Sequence, residues 1–412
     1  MSTSATTTGM NYSIELDERY GAHNYHPIPV VLTRGEGVFV WDTAGRRYFD
    51  FLSGYSAVNQ GHCHPAIVSA FVEQAKRLTL TSRAFHNDVF GEFARFITEL
   101  FGYDKVLPMN TGAEAVETAM KLCRKWGHQV KRIPADKATI VVCKENFHGR
   151  TTGIISFSSD QDAREGFGPF LGGFVAIDYN DTRQLAAAVQ DPNVCGFLVE
   201  PIQGEAGVKV PSKGYLASVR DICTRANVLF IADEIQSGLG RTGKMLACDH
   251  EDVRPDILVL GKALSGGMMP VSAVLADDEI MLTIQPGQHG STFGGNPLAS
   301  RVAIAALNTL IDEKMIDNAR DGGEFFRAEL RKIDSPHVGE IRGMGLLNAI
   351  EIRHRDKEAA WRLCLQLMQN GLLAKPTHGD KIRFAPPLVI SREQLAECID
   401  IIHASLICLD ES

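Results

Sequence analysis

One segment of the 412-residue chain delivers a lysine directly behind a fully apolar run. The run Ile257–Leu260 is followed by Gly261 and Lys262, and then by Gly266 and Gly267, which leave room for a ligand. A lysine held against apolar surface has a lowered pKa, so its amine can attack a carbonyl. The plainer alternative is a lysine that ends a strand and reaches water. Without the neighbouring segments, the lysine that ends a strand and reaches water is the better explanation of Lys262.

A second segment ends in carboxylates. The apolar run from Val228 leads to Asp233 and Glu234, with Gln236 close behind. A carboxylate in this position could hold a proton on the ring nitrogen of a heterocyclic cofactor. An N-cap or a metal ligand are the alternatives, although two carboxylates without a local histidine make a weak metal site.

A third segment predicts a phosphate site. Thr111 and Glu114 form the S/T-x-x-E capping box of a predicted helix, and Gly112 lets backbone N–H groups approach a ligand closely. The free N–H groups of a helix N-terminus bind phosphate readily. An ordinary capped helix is the more common explanation of such a motif by itself. Farther along, Phe147 and His148 offer rings that could stack on a cofactor, or simply pack in a loop.

Composition excludes several other classes. The net charge of −8 and the pI near 5.9 argue against nucleic-acid binding and against a polybasic membrane surface. The nine cysteines include no C-x-x-C pair, which argues against a zinc ribbon and indicates a reducing compartment. Residues 1–10 resemble neither a signal peptide nor a transit peptide, so the cytoplasm is expected, or the mitochondrial matrix if a presequence has been removed. Breaks such as Lys262 and Pro270 make a membrane span improbable in the tract Ile257–Ala276.

The elements that must position these residues alternate between strand and helix. The predicted strands are Ala138–Cys143, Gly196–Val199, Val228–Ala232 and Ile257–Leu260, and the predicted helices between them include Glu114–Trp126, Arg183–Val189 and Gly214–Arg225. Such alternation predicts an α/β fold with a mostly parallel central sheet and helices on both faces. Ligands of such sheets bind at the carboxyl ends of the strands, where all three segments fall.

The flanks predict a smaller α+β domain built from both ends of the chain. Turns and short strands (Gly37–Asp42 and Arg47–Phe51) are expected before residue 50. Helices Leu298–Glu313 and Gly322–Lys332, with strands Leu346–Glu351 and Lys381–Phe384, are expected after residue 297. We therefore expect a large domain over residues 51–297 and a composite small domain over residues 1–50 and 298–412.

Together the three segments resemble the signature of the class III, fold-type I pyridoxal-phosphate (PLP) aminotransferases. Longer motifs resemble the ornithine aminotransferase family within that class: Tyr20–Pro27, Ser53–Pro65, Glu200–Gly207, His289–Pro297 and Leu372–Asp380. The likeness extends from about Tyr12 to Leu406.

The resemblance implies a role for each cofactor residue. Lys262 is then the lysine that binds PLP covalently and shuttles a proton, and Asp233 is the partner of the ring nitrogen. Gln236 lies on the side of the ring hydroxyl, and Phe147 stacks on the ring. Phosphate contacts come from the backbone of Gly112 and Ala113, and from Ser291 and Thr292, with Thr292 reaching the phosphate of a neighbouring subunit.

The resemblance also implies how substrates are held. Arg150 binds the distal carboxylate of glutamate, and Arg383 binds the α-carboxylate, because arginine gives the planar bidentate grip that a carboxylate needs. Glu205 pairs with Arg383 while ornithine is bound and then moves away. Tyr25 and Tyr55 hold the α-amino and α-carboxylate groups of ornithine.

The implied activity is the ping-pong transfer of the δ-amino group of L-ornithine to 2-oxoglutarate by a homodimer, giving glutamate 5-semialdehyde and L-glutamate, with no metal, nucleic acid or membrane partner. Other ω-amino donors, N-acetylornithine and 4-aminobutyrate, are the alternatives.

Three further hypotheses are weaker. Gly238, Gly240 and Gly243 match the letters of a dinucleotide fingerprint, but Asp233–Ser237 separate them from the strand and no convincing helix follows. An NAD-dependent dehydrogenase is therefore a distant alternative. His62 and His64 suggest a metal, yet Gly61 and Pro65 favour a structured loop. A scaffold without activity is disfavoured because Lys262, Asp233 and Arg383 are all present.

Overall fold

The computed structural model describes residues 3–377 and 379–410, with backbone alone for residues 3–11. Five residues lie outside the described residues: Met1, Ser2, His378, Glu411 and Ser412. They belong to the predicted terminal segments and to the Leu372–Asp380 motif. In chain order the strands are β1 (Leu32–Glu36), β2 (Phe39–Asp42), β3 (Arg47–Asp50), β4 (Lys105–Met109), β5 (Thr139–Cys143), β6 (Phe174–Ile177), β7 (Val194–Val199), β8 (Leu229–Asp233), β9 (Ile257–Leu260), β10 (Ser272–Ala276), β11 (Val338–Met344), β12 (Leu347–Ile352), β13 (Leu372–Leu373), β14 (Lys375–Thr377) and β15 (Lys381–Phe384).

The helices are α1 (Thr3–Tyr20), the single turn α2 (Ser53–Ser56), α3 (Pro65–Ala75), α4 (Phe90–Phe101), α5 (Gly112–Gln129), α6 (Thr152–Ile155), α7 (Thr182–Ala188), α8 (Tyr215–Ala226), α9 (Asp278–Met281), α10 (Pro297–Asp312), α11 (Met315–Leu330), α12 (Ala359–Gln369) and α13 (Arg392–Leu406). Short 3₁₀ segments cover Ala247–Glu251, Lys262–Ser265 and Ile407–Leu409.

Among the described residues, seven strands form the central sheet in the order β4-β10-β9-β8-β7-β5-β6. The strands from β9 to β6 are parallel, whereas β10 runs antiparallel to both β4 and β9. The predicted α/β fold with a mostly parallel sheet is therefore confirmed. The apolar tract Ile257–Ala276 becomes β9, the turn with Lys262, and β10. In the described part of the chain, no helix is long and apolar enough to cross a membrane.

Alternate residues of the parallel strands point to opposite faces of the sheet. On one face, Ile140, Leu198 and Ile231 join a buried cluster with Leu122 of α5. On the other face, Val141, Phe197 and Phe230 join a cluster with residues of α7 and α8. This two-residue period is a property of the pleated strand. It explains why the strands are apolar throughout: both faces are covered by helices, as parallel sheets require.

Two four-stranded sheets, β1-β2-β3-β13 and β11-β12-β15-β14, complete the sheet structure of the described residues. In the first, β13 near the end of the chain pairs in parallel with β3 near its beginning. The largest buried cluster joins residues on both sides of the predicted domain boundaries, such as Leu260 and Phe384. The division into residues 51–297 and a composite domain remains a prediction.

The N-terminal segment corrects the expectation of turns and short strands up to residue 50, because α1 occupies Thr3–Tyr20. Its Ser and Thr residues have low intrinsic helix propensity, which hid the helix from the sequence pattern. The antiparallel direction of β10 was likewise not predicted.

Candidate active site

A cavity of about 200 Å³ lies at the carboxyl edge of the central sheet. Its walls combine the residues that follow β5, β7, β8 and β9 with the N-terminus of α5. The lining residues are Gly112, Ala113, Phe147, His148, Gly149, Glu200, Ile202, Asp233, Ile235, Gln236 and Lys262. The predicted residues Gly112, Ala113, Phe147, Asp233, Gln236 and Lys262 are thus brought together in one place.

Lys262 enters this cavity from the end of β9. It begins a 3₁₀ turn and has a φ of 42°, a left-handed conformation that side chains other than glycine seldom adopt. Burial lowers the pKa of Lys262, against the opposing effect of the negative charges of Glu205 and Asp233. A neutral amine is therefore more accessible here than on a surface lysine, as nucleophilic chemistry requires.

Asp233 ends β8 and forms a buried pair with His148. The Nδ1 atom of His148 lies 2.6 Å from Oδ2 of Asp233, and both side chains are almost fully enclosed. Burial disfavours protonation of His148, but the hydrogen bond to Asp233 and the charges of Asp233 and Glu200 raise its pKa overall. The pair fixes the orientation of the carboxylate, whose Oδ1 atom accepts from the backbone N–H of Ile235 at 3.1 Å.

The first turn of α5 supplies backbone donors to the cavity. The predicted capping box is confirmed: Thr111 Oγ1 accepts from the N–H of Glu114, and Glu114 Oε2 accepts from the N–H of Thr111 at 2.8 Å. The N–H groups of Gly112 and Ala113 belong to the first turn, where helical partners are lacking. A Cβ at Gly112 would lie 3.1 Å from the side chain of Ile235, so glycine keeps this wall open.

Glu200 is a second buried acid in the cavity wall, and the sequence prediction did not include it. It follows β7 directly, and its Oε1 atom accepts from the backbone N–H of Phe147 at 2.9 Å. Burial raises the pKa of Glu200 to about 7. Glu200 directly follows a strand end, so the strand-end rule that found Lys262 could also have found it. His148, named above for its ring, pairs with Asp233.

Arg383 and Glu205 form an ion pair beside the cavity. Arg383 Nη1 donates to Glu205 Oε1 at 2.8 Å and to Gln236 Oε1 at 3.3 Å, while Gln236 Nε2 donates to Glu205 Oε1 at 3.2 Å. Burial acts to raise the pKa of Glu205, but the charges of Arg383 and Lys262 lower it overall. The aromatic ring of Tyr55 lies with its centre 5.1 Å from the guanidinium carbon of Arg383.

A neighbouring cavity of about 490 Å³ shares the wall formed by Phe147, His148 and Gly149. Arg150 and Glu205 also line it, so both lie next to the first cavity. Arg150 is exposed, with its guanidinium 3.7 Å from Asp160 and 5.7 Å from the ring centre of Phe147. The lining of the two adjoining cavities includes the amine of Lys262, the acids Asp233, Glu200 and Glu205, and the guanidinium of Arg150. Arg383 lines neither cavity but is bonded to Glu205.

Five predicted residues line neither cavity within this single chain: Arg383 and Tyr55, described above, and Tyr25, Ser291 and Thr292. Ser291 accepts a hydrogen bond from Asn110 Nδ2 at 2.8 Å, and Thr292 after it is exposed. Tyr25 is 72% exposed, and Lys375 Nζ lies 5.7 Å from its ring centre. The roles assigned to all of the predicted site residues stay predictions.

The residues that suggested a dinucleotide fingerprint or a metal site make other contacts in the structure. The next helical segment after Gly243 is the short 3₁₀ turn Ala247–Glu251 and not an α-helix. The fingerprint-like segment places the buried Arg241 between Asn59, Leu346 and Pro386. His62 pairs with Asp50 and His64 with Glu313. Within residues 3–377 and 379–410, no group of three or more His, Cys, Asp or Glu side chains could hold a metal ion.

Comparison with known proteins gives concordant matches. Residues 20–406 match the family model "Aminotransferase class-III". The mitochondrial ornithine aminotransferase of Drosophila melanogaster is 61% identical over 393 residues, which cover 95% of this chain and 91% of the fly protein.

Two solved structures extend the match to the fold. One is the Toxoplasma gondii ornithine aminotransferase with PLP at partial occupancy in its active site, with a TM-score of 0.96 and 48% identity, covering 100% of this chain and 98% of that one. The other is the acetylornithine aminotransferase of Elizabethkingia anophelis, with a TM-score of 0.90 and 60% identity, covering 97% of this chain and 99% of that one.

Proposed function

The chain belongs to the class III aminotransferase family, and on that premise we propose that it transfers the δ-amino group of L-ornithine to 2-oxoglutarate. The products are glutamate 5-semialdehyde, which cyclises to pyrroline-5-carboxylate, and L-glutamate. The observation that carries the proposal is the pairing of Arg383 with Glu205 beside the cavity of Lys262. This pairing gives one site two ways of receiving an amino acid.

The donor groups of the cavity suit PLP. PLP supplies an aldehyde that bonds to amines and a pyridine ring that withdraws electrons from the bound substrate. Lys262 would hold it covalently, Asp233 would face the ring nitrogen, and the amides of Gly112 and Ala113 would bind the phosphate. The cavity thus contains one partner for each of the three functional parts of PLP, and the Toxoplasma relative supports the assignment. Phe147 and Gln236, on the same walls, would stack on the ring and contact its hydroxyl side.

The chain's own residues then account for the proton transfers. With its lowered pKa, Lys262 Nζ can take a proton from the substrate carbon that bears the transferred amine, and return it elsewhere. His148 holds Asp233 in place through the 2.6 Å contact, which keeps the negative charge where a protonated ring nitrogen would need it.

Substrate choice follows from the state of Glu205. While Glu205 neutralises Arg383, the α-carboxylate of ornithine has no free arginine to bind, so Tyr25 and Tyr55 take its α-groups and the δ-amine faces Lys262. When Glu205 moves away, Arg383 is free for the α-carboxylate of 2-oxoglutarate and Arg150 for the distal carboxylate. Bidentate arginine contacts are the strong form of carboxylate recognition.

N-acetylornithine is the second candidate donor, because the Elizabethkingia relative with 60% identity is named as an acetylornithine aminotransferase. It carries the same δ-amine, and it differs in having a neutral amide in place of the charged α-amine. A panel of ornithine, N-acetylornithine and 4-aminobutyrate, each with 2-oxoglutarate, tests the proposal. Ornithine should have the highest kcat/KM. Faster turnover of either competitor would contradict the substrate assignment and leave the family unchanged.

The homodimer with shared active sites is part of the same proposal. Thr292 and the 56% exposed Phe293 lie on a surface segment outside the cavity, as expected if they serve a neighbouring subunit. Mixing inactive Lys262→Ala and Thr292→Arg subunits tests this sharing. One site of each hybrid dimer then receives an intact Lys262 and an intact Thr292, so activity should reappear on mixing. Continued inactivity in hybrids isolated by a different affinity tag on each subunit would exclude shared sites.

For the compartment, the cytoplasm remains the predicted location, with the mitochondrial matrix as its alternative. The fly relative is a mitochondrial protein by name, which supports the alternative. Fractionation of cells that express the native gene decides between them.

A further inference from the structure

Tyr55 lies on a backbone turn of rare conformation. The four consecutive residues Ser53, Gly54, Tyr55 and Ser56 have φ values of 50°, 55°, 59° and 72°. All four lie in the left-handed region, and three of them are not glycine. Each such residue costs about 1 kcal/mol or more, so the surrounding structure must hold the turn in place.

The carboxylate of Asp50 holds the start of this turn. Its Oδ1 atom accepts from the backbone N–H groups of Leu52 and Ser53, both at 2.9 Å. Its Oδ2 atom lies 2.7 Å from Nε2 of His62. Asp50 is only 8% exposed, so these contacts are largely shielded from water. His62 therefore fixes the carboxylate, and the carboxylate fixes the entry to the turn.

His62 is itself held by close packing. A Cβ at Gly35 would lie 2.9 Å from the imidazole ring of His62, and the backbones of Gly37 and His62 exchange two hydrogen bonds. The ring has little room to move away from Asp50.

The entry to the turn is also attached to Ala385, directly after the strand β15 that carries Arg383. Ser53 Oγ donates to the carbonyl of Ala385 at 2.7 Å, and the N–H of Ala385 donates to the carbonyl of Phe51 at 2.8 Å. Tyr55 and Arg383 are thus set relative to each other by a short path of hydrogen bonds. The distance of 5.1 Å between the ring centre and the guanidinium depends on that path.

We propose that Asp50 and His62 are positioning residues for Tyr55, and that through Tyr55 they set the affinity for the amino donor but not for the dicarboxylate. Neither residue lines the two cavities, so each acts through the backbone turn. The inference rests on the proposed function, in which Tyr55 binds ornithine whereas glutamate is held by Arg383 and Arg150.

The test measures the two half reactions of the PLP-loaded enzyme separately, with ornithine and with glutamate, by stopped-flow absorbance. Asp50→Ala should raise the apparent dissociation constant for ornithine about tenfold, as expected for loss of a charged hydrogen-bond acceptor. The limiting rate with ornithine should change less than about twofold. The apparent dissociation constant and the limiting rate with glutamate should each also change less than about twofold. Asp50→Asn keeps an oxygen for the two N–H groups and should recover most of the affinity.

His62→Ala should weaken ornithine binding in the same selective way, and it decides the matter if Asp50→Ala does not fold. His64→Ala is the matched control, because His64 lies in the same loop but pairs with Glu313 at 3.0 Å. Equal losses in both half reactions, or unchanged ornithine affinity, would overturn the inference. The variant Tyr55→Phe distinguishes a failure of the proposed function from a failure of this inference. Failure of the unmodified enzyme to use ornithine contradicts the proposed function, whereas a selective defect in Tyr55→Phe without one in Asp50→Ala and His62→Ala contradicts this inference alone.

Discussion

Arg383 Nη1 and Glu205 Oε1 lie 2.8 Å apart, and the side chain of Gln236 forms hydrogen bonds with both residues. The arginine side chain is 3% exposed and the glutamate side chain 21%, so Glu205 is the partner with room to move. When it leaves, Gln236 can still accept from Arg383. The guanidinium would then keep a hydrogen-bond partner throughout the proposed exchange of substrates.

Removing Glu205 should harm the two half reactions unequally. In Glu205→Ala, Arg383 is permanently free and binds the α-carboxylate of ornithine, which turns the δ-amine away from Lys262. We expect kcat/KM with ornithine to fall about 100-fold, and with glutamate to change less than about fivefold. Glu340→Ala, which removes an exposed partner of Arg342, is the control. Parallel losses in the two half reactions would contradict the switch.

Lys262→Ala should abolish turnover. The variant lacks both the covalent attachment for PLP and the base, so the rate should fall by about 10³-fold or more. The unmodified protein should be yellow and should retain PLP after borohydride reduction, and the variant should not. Lys144→Ala, at a surface lysine paired with Asp178, should keep both properties. Retention of reducible PLP by Lys262→Ala would place the attachment elsewhere.

Glu200 should make the stability of the PLP-free protein depend on pH. Because its pKa is raised to about 7 in the folded state, the folded protein holds a proton between pH 4.5 and 7 that the unfolded chain has released. Stability from this group is therefore greatest at low pH and falls as pH rises through that window. We measure the Tm of Glu200→Gln and of the unmodified protein at each pH. Between pH 4.5 and 7, the decrease of Tm with pH should be smaller in Glu200→Gln. A profile with the same slope in both proteins would exclude Glu200 as the source.

Arg241 should be a main determinant of stability. Its side chain is fully buried and donates to the carbonyls of Leu346 and Pro386 and to Asn59 Oδ1. Arg241→Met would leave these buried acceptors unpaired, at a cost of about 3 kcal/mol, and would lower the Tm by several degrees. Arg254→Met, at a half-exposed pair with Asp277, should cost less than about 1 kcal/mol. Similar Tm values for the two variants would show that the buried network contributes little.

The residues at strand ends were predictable because a single rule governs them. The strands Ile257–Leu260 and Lys381–Phe384 are observed with the predicted bounds, and Lys262 and Asp233 meet in one cavity as expected. Short apolar, β-branched runs between polar segments are typical of buried strands, and the carboxyl ends of parallel strands mark the ligand edge of the sheet.

Relationships that depend on distant parts of the chain were not predictable in the same way. The pairing of His148 with Asp233 joins the loop after β5 to the last residue of β8, with β7 lying between these strands. The left-handed turn at Ser53–Ser56 contradicts local preference and exists only because Asp50 and Ala385 hold it. Local sequence specifies elements, whereas these features result from the packing of elements together.

The position of β10 determines when the cofactor cavity can first form during synthesis. Strand β4, which leads into the N-terminus of α5, is an edge strand whose sheet partner is β10, and Ser272 Oγ of β10 donates to the carbonyl of Thr111 at 2.8 Å. A ribosome-bound chain that ends before Ala276 lacks part or all of the strand with which β4 pairs. We therefore expect PLP to bind only after β10 has been synthesised. Nascent chains that end before Ala276 should not bind PLP, whatever its concentration.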